Sequence, residues 1–151
     1  MFTLVPSGFF NPAAERETLA EVADIQKGAE IAHKEIPQYD AVLIYTVGGD
    51  SAVSGPEMAA ILEDLPKCQE YNKVLCSIVD DVLYLGIAQG KSLLLANSFP
   101  VQNFTSAEYF IFLAMKSLQL NPEVSTICWR TALDADDEMS LYRYFKAVEQ
   151  L

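Results

Sequence analysis

Apolar residues fall along this chain in two rhythms, and each rhythm stops at a proline, a glycine or a capping side chain. Phe2-Thr3-Leu4-Val5 is a short β-rich run closed by Pro6, and Asn11-Pro12 supplies a cap followed by proline at the first helical position. Leu19, Val22, Ala23 and Ile25 then lie at roughly helical spacing, which predicts a helix from about residue 12 whose reach Gly28 limits. The continuous apolar run 41–47, bounded by Asp40 and Gly48-Gly49, has strand length and calls for cover on both faces. Ser54 and Glu57 form a capping box ahead of Met58, Ile61, Leu62 and Leu65, a helix that Pro66 ends.

The second half changes character. Three apolar segments, 71–79, 82–88 and 92–99, are separated only by Asp80-Asp81 and Gly90-Lys91, a spacing that predicts an antiparallel meander. Thr105 and Glu108 read as a second capping box, with Phe104 placed to staple onto Tyr109. Phe110, Leu113, Ala114, Ser117 and Leu118 form the expected buried stripe of that helix, Asn121-Pro122 stops it, and 124–129 reads as a further strand. A last helix is expected from about Asp136 to Leu151, its acidic start suited to the positive helix N-terminus. The order is strand-helix-strand-helix followed by β-β-β-α-β-α, which predicts an α/β fold with a mixed sheet. Parallel-type α/β units precede Pro66 and the meander follows it, so the expected lobes are 1–66 and 67–151.

Composition narrows the function classes. The chain has 151 residues, 51% of them hydrophobic, enough for a packed core in one domain or two small lobes. Ten Lys and Arg against 21 Asp and Glu leave a net charge of −11, and the basic residues are scattered singly, which argues against nucleic acid as a partner. No apolar run approaches a membrane span, and the start carries no secretory pattern, so a soluble cytoplasmic chain is expected. Cys68, Cys76 and Cys128 form no C-x-x-C pair and read as packed, reduced thiols. The one histidine, His33, stands in a polar stretch and reads as a surface residue.

Several motifs resemble chemistry without completing it. Gly90-Lys91-Ser92 lacks the glycine five residues earlier and the following helix of a phosphate loop, so it reads as a hairpin turn. Gly48-Gly49 after a strand is a weak phosphate candidate. The β-β-β-α-β-α order opens a ribonuclease H-like arrangement, yet strands 71–79 and 124–129 hold no acid and Glu108 is assigned to capping, so two-metal nuclease chemistry is not expected. Asp134, Asp136, Asp137 and Glu138 lack the spacing of a calcium loop and read as a helix start. No G-x-S-x-G occurs, and a Cys/His nucleophile would depend on His33 alone.

Phe2-Thr3-Leu4-Val5-Pro6 with Phe9-Phe10, Ala41-Val42-Leu43-Ile44-Tyr45, the stretch 93–112, Leu118-Gln119-Leu120-Asn121-Pro122-Glu123 and Leu141-Tyr142-Arg143-Tyr144 together resemble a Bacteroidetes family, domain-of-unknown-function family 3822, linked to the actin-like ATPase fold of two ribonuclease H-like lobes. The resemblance implies that 2–5 and 41–47 are closing strands of a first lobe and that 71–151 is most of a second. Family members are longer at both ends, so an incomplete two-lobed version is expected, either a partial chain or a shortened relative. In active actin-like ATPases an Asp-x-Gly hairpin and a Gly-Gly motif after the fourth strand of the second lobe hold the nucleotide. Here the hairpin reads Val79-Asp80-Asp81-Val82, without the glycine that permits close phosphate approach, and Trp129-Arg130-Thr131-Ala132 follows the strand.

The expectation is therefore a protein-interaction module without catalytic residues, resident cofactor or metal. Its partner is another protein or a second copy, met through the first-half strands. A nucleotide-binding ATPase or switch, taking ATP with magnesium through Gly48, Gly49, Asp80 and Asp81, is the alternative.

Overall fold

The computed structural model describes residues 1–47 and 53–151. Its strands fall into two sheets. In the first, β1 (Phe2–Pro6) and β2 (Glu30–Ile36) flank β3 (Ala41–Val47), both antiparallel to it, with Ile44 opposite Thr3 on one side and His33 on the other. The helix expected from residue 12 is much shorter. Asn11 does cap, accepting from the Ala13 amide at 3.1 Å, but a 3-10 turn at Pro12–Ala14 leads into α1 (Glu15–Ala20), which buries Leu19 and stops. Val22 is 66% exposed, so the apolar stripe has nothing to pack against beyond Leu19 and the helix gains little by continuing.

The polar stretch around His33 forms β2, and its charged side chains suit an edge strand. The first half is thus antiparallel rather than built of parallel units. The run 41–47 owes its burial to being the middle strand, and it is paired along both edges.

The second sheet has the order β6-β5-β4-β7-β8. β4 (Asn72–Val79), β5 (Val82–Gln89) and β6 (Ser92–Pro100) form the expected meander. β7 (Thr126–Trp129) and β8 (Ala147–Gln150) add to the β4 edge in parallel. The joining helices are α3 (Phe104–Ser117) and α4 (Ala135–Tyr142). β8 replaces the second half of the helix expected to run to Leu151. Its side chains Ala147 and Val148 lie opposite Thr126 and Ile127, and pairing along β7 supplies backbone hydrogen bonds that an exposed extra turn of helix would not improve. With β8 in place the sheet is a full five-stranded ribonuclease H-like sheet.

Period-two alternation sends this sheet's side chains to two cores. Val74, Cys76, Leu85, Ile87, Ile127 and Trp129 pack under α3 and α4. Leu75, Val82, Tyr84 and Cys128 face the other way, against α2 (Gly55–Asp64), where Ile61 and Leu62 also meet Ile36 and Leu43 of the first sheet. The predicted stripe Met58, Ile61, Leu62, Leu65 is wholly buried in this shared core. Close approach requires Gly86, since a Cβ there would stand 2.8 Å from the Ile61 Cγ2.

On α3 the stripe is rotated from expectation: Ala107, Ile111, Ala114 and Met115 are buried while Leu113 is half exposed. Apolar residues occupy every position from 110 to 115, so spacing alone could not orient the helix.

Candidate functional site at the strand ends

β4, β6 and β7 run in the same direction, and their C-terminal ends meet the N-termini of α3 and α4. This is the edge where open α/β sheets bind ligands. A cavity of about 300 Å³ opens there, lined by Ile78, Asp81, Val101, Phe104, Trp129, Thr131, Leu133 and Asp137 among others. Both nucleotide-motif positions named from the sequence, the Asp80-Asp81 hairpin and the segment after Trp129, therefore come together at one mouth.

The ionisable groups that line this mouth are both carboxylates, Asp81 and Asp137. Asp80 and Asp81 both adopt left-handed backbone, with φ of 51° and 59°, and form the two-residue turn that closes Val79 on Val82. Asp tolerates that region better than most residues, so the hairpin needs no glycine to form. The Asp81 carbonyl accepts the Val101 amide at 2.9 Å and ties the turn to the end of β6. Asp137 sits across the cavity near Asp134 and Asp136, and burial together with those like charges raises its pKa.

The cation that follows β7 turns away. The Arg130 amide continues the pairing to the Cys76 carbonyl at 2.9 Å, while its side chain reaches α2, donating from Nε to Asp64 at 2.9 Å and from a guanidinium nitrogen to Glu57. The same Glu57 oxygen accepts the buried Ser77 hydroxyl at 2.7 Å. Burial alone would raise the Asp64 pKa, but the hydrogen bonds from Lys67 and Arg130 override it and hold the carboxyl below its ordinary range. The charged groups lining the cavity are carboxylates, set beside the polar Asn103 and Thr131 and apolar walls. Trp129, wholly buried, contributes an indole Nε1 that has no hydrogen-bond partner among the described residues.

Of the two expected capping boxes, one is half made and the other is not made. Ser54 Oγ accepts the Glu57 amide at 3.2 Å, but Glu57 goes to Ser77 and Arg130, and the Ser54 amide donates instead to the Tyr84 hydroxyl at 2.7 Å. At α3 the cap is Asn103, which accepts the Ser106 amide at 2.8 Å, and neither Thr105 nor Glu108 takes part. Phe104 packs on the Trp129 ring, 5.7 Å between centroids, rather than stapling Tyr109. Glu108 is buried and accepts from Ser140 of α4 at 2.9 Å; burial raises its pKa against the pull of that hydrogen bond. A signal was available, because Glu108 stands three and seven residues before Ile111 and Met115 and so shares their face.

Other candidates fall into structural roles. Gly90-Lys91 is the turn between β5 and β6, with Gly90 at φ 55°. Asp134 caps α4, accepting the Asp137 amide at 2.8 Å. His33 lies on the exposed side of β2, 2.8 Å from Glu15. All three cysteines are buried and free. Gly48 and Gly49 lie outside the described residues. Among the described residues no group of acidic, histidine or cysteine side chains is arranged to hold a metal ion, and no helix is long and apolar enough to cross a membrane.

Residues 55–148 match the model of the family described as "Protein of unknown function (DUF3822)". The chain belongs to this family. A crystal structure from Bacteroides thetaiotaomicron, of a protein with actin-like ATPase fold and unknown function, is similar over 99% of this chain with a TM-score of 0.73 at 15% identity. At that identity the likeness speaks to the fold alone, and the present chain spans 64% of the solved one. No curated protein matches. The α/β architecture with a mixed sheet thus takes its place among actin-like ATPase folds.

Proposed function

We propose that this chain is a non-catalytic protein-interaction module on an actin-like ATPase scaffold. The observation that carries this reading is the redirection of Arg130. At the strand ends, where a nucleotide's phosphates would need converging amides and cations, the ionisable lining groups are Asp81 and Asp137, and the neighbouring guanidinium is spent on Glu57 and Asp64. A triphosphate entering this mouth meets like charge. Partner binding is supported by the first sheet, where β1 pairs with β3 along one edge and its other edge has no strand partner among the described residues. That edge offers backbone groups to an added strand from a partner or from a second copy.

The rival is a nucleotide-dependent switch, favoured by the convergence of the hairpin and the post-β7 segment on one cavity. Calorimetric titration of the chain with ATP and magnesium distinguishes them. No heat of binding at 100-fold molar excess is the expected result. A low-micromolar dissociation constant that is lost on Asp81→Ala overturns the interaction reading. Light scattering gives the arm for self-association: a dimer dispersed by Thr3→Asp, with circular dichroism unchanged, locates the contact on β1.

A further inference from the structure

On the flank of the second lobe, α3 and α4 leave a groove of about 370 Å³ that the strand-end cavity does not share. Its walls are aromatic: Tyr109 and Phe112 from α3 and Tyr144 just past α4. Phe112 and Tyr144 meet edge to face, with centroids 4.8 Å apart and planes at 61°. Tyr109, edge to face with its neighbour Phe110, is 60% exposed and Tyr144 48%, so large parts of both rings still stand in solvent. The groove also holds the carboxylate of Glu108, a residue only 8% exposed.

That carboxylate is under-supplied. Ser140 Oγ lies 2.9 Å from both of its oxygens, but one hydroxyl carries one proton and a carboxylate has about four acceptor positions. No ion pair reaches Glu108 among the described residues, and no basic residue lines the groove; Arg143 is near enough to be felt but is exposed to solvent. A buried carboxylate without a cation is costly, and its pKa is accordingly raised. Asp136 stands one helical turn before Ser140 and Asp137 next to it, so the local field adds to the charge of −11 carried by the whole chain.

We propose that this groove is a recognition site for an arginine side chain presented by a partner protein, with the guanidinium paired to Glu108 and held between the Tyr109 and Tyr144 rings. The chemistry matches group by group. A planar guanidinium donates two parallel N–H bonds to a carboxylate, filling the acceptor positions that Ser140 leaves open. Its faces stack on aromatic rings, whose quadrupoles attract a cation. The acidic surroundings steer a basic partner toward the site at long range. This inference rests on the interaction reading, and names a site and a partner chemistry for it that differ from strand addition at β1.

The test is an amide-resolved NMR titration of the full chain with n-butylguanidinium, beside the neutral shape analogue n-butylurea. Saturable shifts clustered at residues 105–112 and 140–144 are expected with butylguanidinium, with butylurea at least about tenfold weaker. Glu108→Gln, which keeps a partner for Ser140, should weaken butylguanidinium by about tenfold while circular dichroism stays unchanged. Tyr109→Ala and Tyr144→Ala remove exposed rings and should each weaken it several-fold, which preserves the test if the Glu108 variant folds poorly. Equal binding of butylurea, shifts confined to other surface carboxylates, or an affinity indifferent to Glu108 and both tyrosines would each overturn the proposal. Those results would leave the interaction reading standing, whereas micromolar binding of ATP with magnesium would remove that reading and leave the groove measurements intact.

Discussion

Glu57 and Asp64 on α2 and Glu108 on α3 are acidic residues turned into packed seams, yet they reach opposite electrostatic solutions. The first two share Arg130, which reaches them from the end of β7 and closes the seam between α2 and the sheet. Glu108 has a serine hydroxyl and, among the described residues, no ion pair, Arg143 acting on it only from a distance. One carboxyl of the first group, Asp64, is held below its ordinary pKa, and Glu108 is pushed above. The difference separates a seam that the fold completes for itself from a groove that is chemically unfinished. Acidic residues set into helix seams, the paired ones partly exposed and Glu108 buried, thus mark opposite things: structural closure where the counter-ion is intramolecular, and a docking position where it is missing.

The sharpest way to break the comparison is to remove the shared cation. Arg130→Ala strands Glu57 and Asp64 in partly buried positions and should cost about 2–3 kcal/mol, less than for a fully buried pair because solvent still reaches all three groups. A urea midpoint unchanged from the parent protein would show that the seam is not held by charge. Asp64→Asn should cost about 1 kcal/mol at neutral pH and flatten the acid limb of the stability curve. The sign follows from the depressed folded pKa: the stabilisation is present above the ordinary value of 3.8 and is lost as pH falls through the depressed one. Thermal unfolding between pH 2 and pH 7 reads it directly.

Whether Glu108 is free of capping is decided at Asn103. Asn103→Ala should cost about 1 kcal/mol and Thr105→Ala less than about 0.5 kcal/mol. The reverse ranking would restore Glu108 to a capping box and dissolve the contrast. The smallest expected effect is the most diagnostic. A folded pKa above the ordinary value of 4.5 means that ionised Glu108 opposes the fold, a penalty present above the raised pKa and relieved as pH falls toward 4.5. Glu108→Gln should therefore raise stability at pH 7 by about 0.5 kcal/mol and remove that relief. A loss of stability on the same substitution would mean that a cation already serves the carboxylate.

Much of the fold was legible along the chain, and the limits are physical. The meander from 71 to 99 is readable because its turns are two residues long and its apolar runs have strand length, so pairing is local. The α2 stripe is readable because only one face is apolar. β2 and β8 are not, since edge strands carry charged residues and take their conformation from a neighbour distant in sequence: His33 lies opposite Ile44, and Val148 opposite Ile127. The strand-end site was legible as two sequence positions, and their meeting needed the parallel pairing of β4 with β7. Glu108 was misassigned because Thr-x-x-Glu spacing is satisfied equally by a capping box and by a carboxylate turned into a helix seam, and a second acceptor, Asn103, stood two residues earlier.

By itself, the sequence determined what is local or summed: the hairpins, the capped helix ahead of Pro66, the absence of a glycine from the Asp80-Asp81 turn, the family, and an acidic net charge. Only the tertiary structure decided which carboxylates acquire a cation. Arg130 lies 73 residues from Glu57 and 66 from Asp64, and Ser140 lies 32 from Glu108, so each pairing depends on how helices dock on the sheet. Periodicity states which face of an element is apolar. It does not state which neighbour that face will meet, and the protonation, pairing and binding chemistry of a buried acid are properties of the neighbour.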